Sequence, residues 1–552
     1  MTVTEEASAA VHPARGHGAD RVDPGPADPP PPRRRYAIPE PLLPWRGHDP
    51  FSGWMMTLIV TAIAGVTRFW NIAGPQGTVF DEIYYATESH ELLQFGYENN
   101  PGFTFIVHPP IGKWMITVGE QLFGHWSTEF GWRFSSAAVG TLSVLITVRV
   151  ARRIFRSDVL GAVAGLLLTM DGVSLVESRL SLLDIFMQFF AIAAFAAMVL
   201  DRDQLRLRLA MLLADGVDMT DGPPALGPRP WRLVAGILLG LLCAVKWSGL
   251  SFWVLFAIMS VVWDRGALRS AGVRFPWSAV VLRSIPGAFC SYVLATVGAY
   301  LLSWLGWIVG ENSWNRHWAE THKVSGVDAL LPKWLQSLAN YHHVAYDFHI
   351  GLVQHHPYGS KPWSWLILGR PTNYAFYGTP QGVDDHARCG AAKCASQILL
   401  IGTPLMWWAF VPVLIWLAWH WVTTRDWRAA AVLVAFVAGW GVWLKNTDRT
   451  MFLFYMTPLM PFLILGLTLA FGALAGRSQR PDWGSFTPRR VSERARATGV
   501  AATVRTIDWR LITAVVYFGV IVADFIWMWP IFTDVMLTHN QWQARMWFNS
   551  WI

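Results

Sequence analysis

The chain has 552 residues, 53% of them hydrophobic and 15% charged, with a mean hydropathy of +0.32. Ordinary soluble domains carry about 25% charged residues, so the composition excludes a soluble globular protein and points to an integral membrane protein. The net charge of +7 makes no case for nucleic acid, because lysines and arginines at helix ends serve as topology anchors.

The 33 tryptophans suit the headgroup region, where an apolar ring can stay inside while its N–H is wet. Four cysteines are too few for a disulfide framework. Residues 1–50 include DPGPADPPPPRRR, a segment too polar and proline-rich to bury the apolar surface that would offset chain entropy; disorder is expected there. It is not a signal peptide, since the first apolar run begins only near Trp54.

Runs long and apolar enough for a membrane helix follow at 54–73, 130–150, 158–173, 180–200, 232–247, 248–263, 283–308, 400–421, 429–444, 451–475 and 510–532, about eleven in all. The runs 158–173 and 232–247 are short, and only KWSG joins the second to its neighbour. One bent helix over 232–263 would give ten spans and reverse the C-terminus. Cytoplasmic loops collect Lys and Arg. With eleven spans, RRR at 33–35 and the basic stretches at 149–156, 201–210, 264–274, 423–428 and 476–510 all fall inside. The loops 74–129, 171–180, 309–399 and 445–450 and the tail 533–552 then fall outside. The resulting division is a cytoplasmic leader (1–50), a multi-spanning unit (51–475), a cytoplasmic basic loop (476–509) and a last helix with an external tail (510–552).

Two external loops, 74–129 and 309–399, exceed simple connections and are where function is expected. ELLQFG, KWMITVGEQLFG, WNRHWAETHKV and LPKWLQSLANYHHVAYDFH read as helices lying at the interface. In TVFDEIYYATES, Asp81 and Glu82 stand side by side where the chain leaves the bilayer. Thr78 can cap a helix there, with acids favoured in its first turn. A carboxylate fixed beside the bilayer and partly desolvated also suits a general base. HPPIGKW brings His108 and Lys113, which a stiff turn with a solvated lysine would equally explain.

Arg133 opens one span, and ESRLSLLD places Glu177, Arg179 and Asp184 at the start of another. Charges at that depth mark either function or an internal ion pair. Two acids and two arginines on one face suit attack on a phosphate-linked group, because an arginine fork binds phosphate and offsets its departing charge.

Taken in order, VFDEIYYA, HPPIGKW, WRFSSAAVG, ESRLSLLD and HPYGSKPWSW resemble the protein O-mannosyltransferase family, in particular its bacterial, actinobacterial-like branch. The resemblance covers roughly 50–475. It implies an all-α integral membrane protein with the multi-spanning GT-C architecture of lipid-phosphate-sugar glycosyltransferases. The β-trefoil domain of fungal and animal members has no room in 309–399. The implied reaction moves mannose from a polyprenyl-phosphate mannose to Ser or Thr hydroxyls of exported proteins, with inversion, at the outer face of a bacterial plasma membrane.

On that resemblance Asp81 is the base and Glu82 orients acceptor or sugar. Arg133 and Arg179 lie near the donor phosphate or brace the acids, with Asp184, His108, Lys113 and Arg449 as further donor contacts. His356, Tyr358 and Trp363 either line the donor pocket or anchor the interface. KNTDRTMF, with Lys445, Asp448 and Arg449, is a phosphate contact or a solvated turn. The histidines 342, 343, 349, 355 and 356 form no tight ligand set; no cofactor is required, and a divalent ion (Mg or Mn) is left open. Cys389 and Cys394 are paired as a disulfide in an oxidising compartment. The same acids and arginines would serve an enzyme acting on a glycolipid or cell-wall glycan; a transporter fits less well, since no internal repeat is evident.

Overall fold

A computed structural model describes residues 38–39, 42–43, 50–99, 107–124, 127–220, 222–445, 447–476 and 509–552. Most of the leader and of the basic loop 476–509 lie outside the described residues.

Among the described residues, nine helices are long and apolar enough to cross a membrane. With six further helices between them they run α1 (Pro50–Phe69), α2 (Glu82–Phe95), α3 (Ile111–Leu122), α4 (Glu129–Phe155), α5 (Asp158–Thr169), α6 (Gly172–Glu177), α7 (Asp184–Ala214), α8 (Pro230–Cys243) and α9 (Gly249–Ser270). Then come α10 (Pro276–Ser303), α11 (Lys333–Gly351), α12 (Pro404–Thr424), α13 (Trp427–Leu444), α14 (Leu453–Leu474) and α15 (Trp509–Phe532). Each of the eleven apolar runs has its helix. The two short runs are α5 and α8, below the length of a full span. Helices α8 and α9 are separate, parted by residues 244–248.

Burial sorts the helices. Helix α7 has 78% and α14 has 83% of its most apolar window buried, against 22% in α1 and α15, so the first two form the core and the last two face lipid. Small residues allow close packing. At Gly236 of α8 an added Cβ would lie 1.8 Å from the Ser291 carbonyl oxygen of α10, so only glycine fits. The Thr296 hydroxyl donates to the Gly236 carbonyl across the same contact (2.8 Å).

Ion pairs tie α7 to its neighbours at two levels. Near its start, Asp184 accepts from Lys246 Nζ at 2.5 Å. Further along, Asp201 binds Arg229 (2.6 Å from Nε to Oδ1), which also reaches Asp264 of α9 at 3.0 Å; Arg232 completes the network on Asp264.

The loop 309–399 adds a small sheet to this mostly helical architecture. It holds an antiparallel hairpin of β1 (Thr372–Gly378) and β2 (Cys394–Leu400), extended by β3 (Leu537–Thr538) from the tail in the order β1-β2-β3. The register runs from Thr372 opposite Leu400 to Gly378 opposite Ala395, with a bulge at Tyr374. The cause is local: TNYAFYG is rich in aromatic strand formers and is bounded by Pro371 and Pro380, while CASQILL is buried throughout. Arg370 donates to the Ile552 carbonyl (2.8 Å) and Trp551 Nε1 to the Leu368 carbonyl (2.8 Å), so the tail packs in the same layer as this loop. Two expected interfacial helices stand as α2 and α3 and a third as α11, whereas WNRHWAETHKV yields only the single turn Trp318–Thr321.

Candidate active site

The first acidic pair sits at the start of α2. Thr78 is exposed and does not cap this helix; Asp81 is the N-cap residue, and its side chain makes no capping bond. Phe80 just before it has φ +53, a left-handed conformation uncommon for a bulky residue and of the kind that collects at functional sites. The Phe80 ring lies 4.8 Å from Tyr374 of β1, centre to centre.

Glu82, fully buried, is consumed internally. It accepts from Arg133 Nε and Nη2 (2.8 Å each), from the Val79 N–H (2.9 Å) and from the Ser181 N–H (2.8 Å). Arg133 spends its other N–H groups on the carbonyls of Ile72, Pro75 and Gly77. All five of its donors are thus used, none is left for a phosphate, and Glu82 has no free edge for sugar or acceptor. The pair is a buried fork that folds the 72–82 loop and aims Asp81.

Asp81, partly buried, stays outside that fork. Desolvation pushes its carboxyl up to about 6 despite the opposing charge of Lys246, with Asp184 reinforcing the rise. Around it stand groups from both long loops and two helix ends. Lys246, at the break between α8 and α9, pairs with Asp184 and lies over the rings of Phe454 (5.6 Å) and Tyr455 (6.0 Å). Glu177 accepts from the Tyr374 hydroxyl at 2.6 Å, and burial raises its carboxyl well above the usual range. Burial first, then Lys246, holds His108 well below the usual imidazole value. Its ring lies 5.1 Å from that of His349 on α11. Arg449 donates to the His349 carbonyl and to the Tyr455 hydroxyl (2.9 Å each). The arrangement offers one carboxylate base, a second buried carboxyl, two imidazoles and two cations with donors to spare, Lys246 and Arg449.

Other expected site residues fall elsewhere. Lys113 of α3 is not solvated: it is buried between Glu88 of α2 (2.9 Å) and Glu98 just past that helix (2.6 Å). Arg179 turns its guanidinium onto the carbonyls that end α1, among them Asn71 (3.4 Å) and Trp70, and so caps that helix. Asp184 pairs with a lysine and not an arginine. His356 is 6.3 Å from Phe80 and 5.0 Å from Phe452, ring to ring, at the rim of the cluster. The Tyr358 hydroxyl accepts from Asn373 (3.2 Å), and Trp363 is 61% exposed. Lys445 and Asp448 are exposed. Cys389 and Cys394 are joined by a disulfide. His342 stacks on Trp247 and His343 sits beside Asp347; among the described residues no group of three or more His, Cys, Asp or Glu could hold a metal ion.

Residues 58–285 match the family described as dolichyl-phosphate-mannose-protein mannosyltransferase, and residues 334–551 match the C-terminal four-transmembrane region of protein O-mannosyltransferase. The polyprenol-phosphate-mannose–protein mannosyltransferase of Mycolicibacterium smegmatis (strain MKD8) is 40% identical over 550 residues, 98% of each chain. The chain belongs to the protein O-mannosyltransferase family. The Mycobacterium tuberculosis (strain CDC 1551) relative of the same name is 38% identical over 93% of this chain and 95% of its own. A Saccharomyces cerevisiae protein O-mannosyltransferase, from a Pmt1-Pmt2 complex solved with sugar donor, shares the fold. The TM-score is 0.65 at 14% identity, covering 91% of this chain and 93% of that one.

For this protein O-mannosyltransferase, the fold carries two residues into the cluster that motif reading passed over. Lys246 hides in KWSG, where it reads as a hinge; a lone cation between two apolar runs is the signal that could have found it. Tyr374 carries no charge and lies far from Asp81 in the chain, so nothing local announces it.

Proposed function

We propose that this protein transfers mannose from a polyprenyl-phosphate mannose to Ser or Thr hydroxyls of exported polypeptides, in one inverting step at the outer face of a bacterial plasma membrane. Asp81 takes the hydroxyl proton while the acceptor oxygen attacks C1; the C1–O bond to phosphate breaks, and polyprenyl phosphate leaves. An alcohol is a poor nucleophile until that proton departs, and general-base catalysis is worth about 10²–10⁴-fold.

The reading rests on the geometry of Asp81: a carboxylate with no capping bond and a pKa near 6, beside cations that retain free donors. Lys246 and Arg449 carry the phosphate, and Glu82 with Arg133 positions the base. Single displacement needs no covalent enzyme intermediate. Residues 51–475 together with the last helix and tail form one catalytic unit, with the N-terminus cytoplasmic.

The test is to incubate membranes containing the protein with labelled polyprenyl-phosphate mannose and a Ser/Thr-rich peptide. Label in the peptide is the expected result. Label confined to lipid would mean a glycolipid acceptor, and label in neither would remove the transferase reading.

A further inference from the structure

Strand β1 has a partner on one side only. Its ladder joins β2, and among the described residues no strand lies along its other edge. The Thr379 N–H donates to the Cys394 carbonyl at 3.1 Å, just past the strand. Counting back through the alternation of an antiparallel ladder, Tyr377 and Ala375 face β2, while Gly378 and Phe376 turn their main-chain groups outward. Phe376 is 49% exposed. A free edge of this kind is a ready template for another extended chain.

The edge is rigid, and it leads into the active-site cluster. At its far end the Asp385 carboxylate accepts from the hydroxyls of Tyr377 (2.7 Å) and Thr379 (2.6 Å), and the Cys389–Cys394 disulfide closes the tip. At its near end the bulge frees Tyr374 from the ladder. Bulges beside active sites re-aim side chains, and here Tyr374 reaches Glu177 and packs on Phe80, next to Asp81. Four residues of strand, at about 3.3 Å each, separate Tyr374 from Gly378, about 13 Å in all.

We propose that the outer edge of β1 docks the acceptor polypeptide as an added strand, so that residues on one flank of the accepting Ser or Thr pair with β1 and deliver the hydroxyl to Asp81. The occupant is an extended peptide main chain, because what the edge presents is unpaired N–H and C=O groups. Such recognition takes affinity from the backbone and little from side-chain identity. The inference rests on the transferase reading above.

An N-methyl scan of an acceptor peptide tests it on the unaltered enzyme. A Ser/Thr peptide with about five residues on each side of the acceptor is methylated at one backbone nitrogen at a time, and KM and kcat are read for each. Loss of one main-chain hydrogen bond should raise KM about five- to tenfold. The expected pattern is that rise at alternate positions along one flank, with the intervening positions within about twofold and kcat little changed. A scan that is flat, or a rise uniform along both flanks, overturns strand addition while leaving the transferase reading intact. No transfer to the unmethylated peptide would overturn the transferase reading, and the docking edge with it.

Discussion

Asp81 opens a helix without capping it, and burial holds its carboxyl near 6, two units above an ordinary aspartate. A base so placed is charged at neutral pH yet binds a proton more readily than a solvated carboxylate. Replacing Asp81 by Asn keeps the shape and removes the acceptor of the proton; transfer to peptide should fall by about 10²–10⁴-fold, with protein yield in the membrane unchanged. Near-normal turnover in the labelled-donor assay would rule out Asp81 as the base.

The pH profile carries a second expectation. Only the ionised form takes the proton, and the folded pKa is raised, so kcat/KM should level off above about pH 6 and drop tenfold per unit below it. An acid limb absent down to pH 5 would contradict that. At this scale the acids and Arg133 were legible because charge beside an apolar run is rare. What could not be read was who holds whom: the fork that occupies Glu82 and Arg133 depends on Ile72, Pro75 and Gly77 carbonyls that carry no sequence signal.

At the scale of elements, the turn before α2 is wound around one guanidinium. Removing one partner of a buried ion pair leaves the other uncompensated and costs about 3–5 kcal/mol. Glu82→Ala should therefore lower the thermal midpoint of the detergent-purified protein by several degrees and disturb Asp81 secondarily. An unchanged midpoint with lost activity would instead place Glu82 on substrate.

All eleven apolar runs are readable as helices because length and hydropathy are local quantities, whereas the separation of α8 from α9 follows from the basic loops, which only eleven spans put on one side. The hairpin carries no comparable signal. Its strands are short and parted by fifteen residues, and the third strand of the sheet comes from the tail more than 130 residues downstream, Leu537–Thr538 against Cys394–Ala395.

For the whole molecule, both long loops and the tail gather at the end of the helices that carries Asp81, and α7 and α14 run through the centre. Single cysteines at Gly382 or Val383 should react with a membrane-impermeant maleimide on intact cells, whereas one at Arg425 should react only after permeabilisation. The opposite pattern would turn the molecule over and place the site in the cytoplasm.

The two ion-pair levels on α7 also bear on the surrounding lipid. Asp184 and Asp201 are seventeen residues apart, about 26 Å of helix at 1.5 Å per residue, whereas a bilayer's hydrocarbon layer is about 30 Å thick. Both carboxylates, with Lys246 and Arg232, are buried among neighbouring helices, so oil reaches neither tier. Mannosylation in proteoliposomes of graded acyl-chain length should therefore change little with thickness; a rate that falls steeply in thicker bilayers would mean that one tier lies open to lipid.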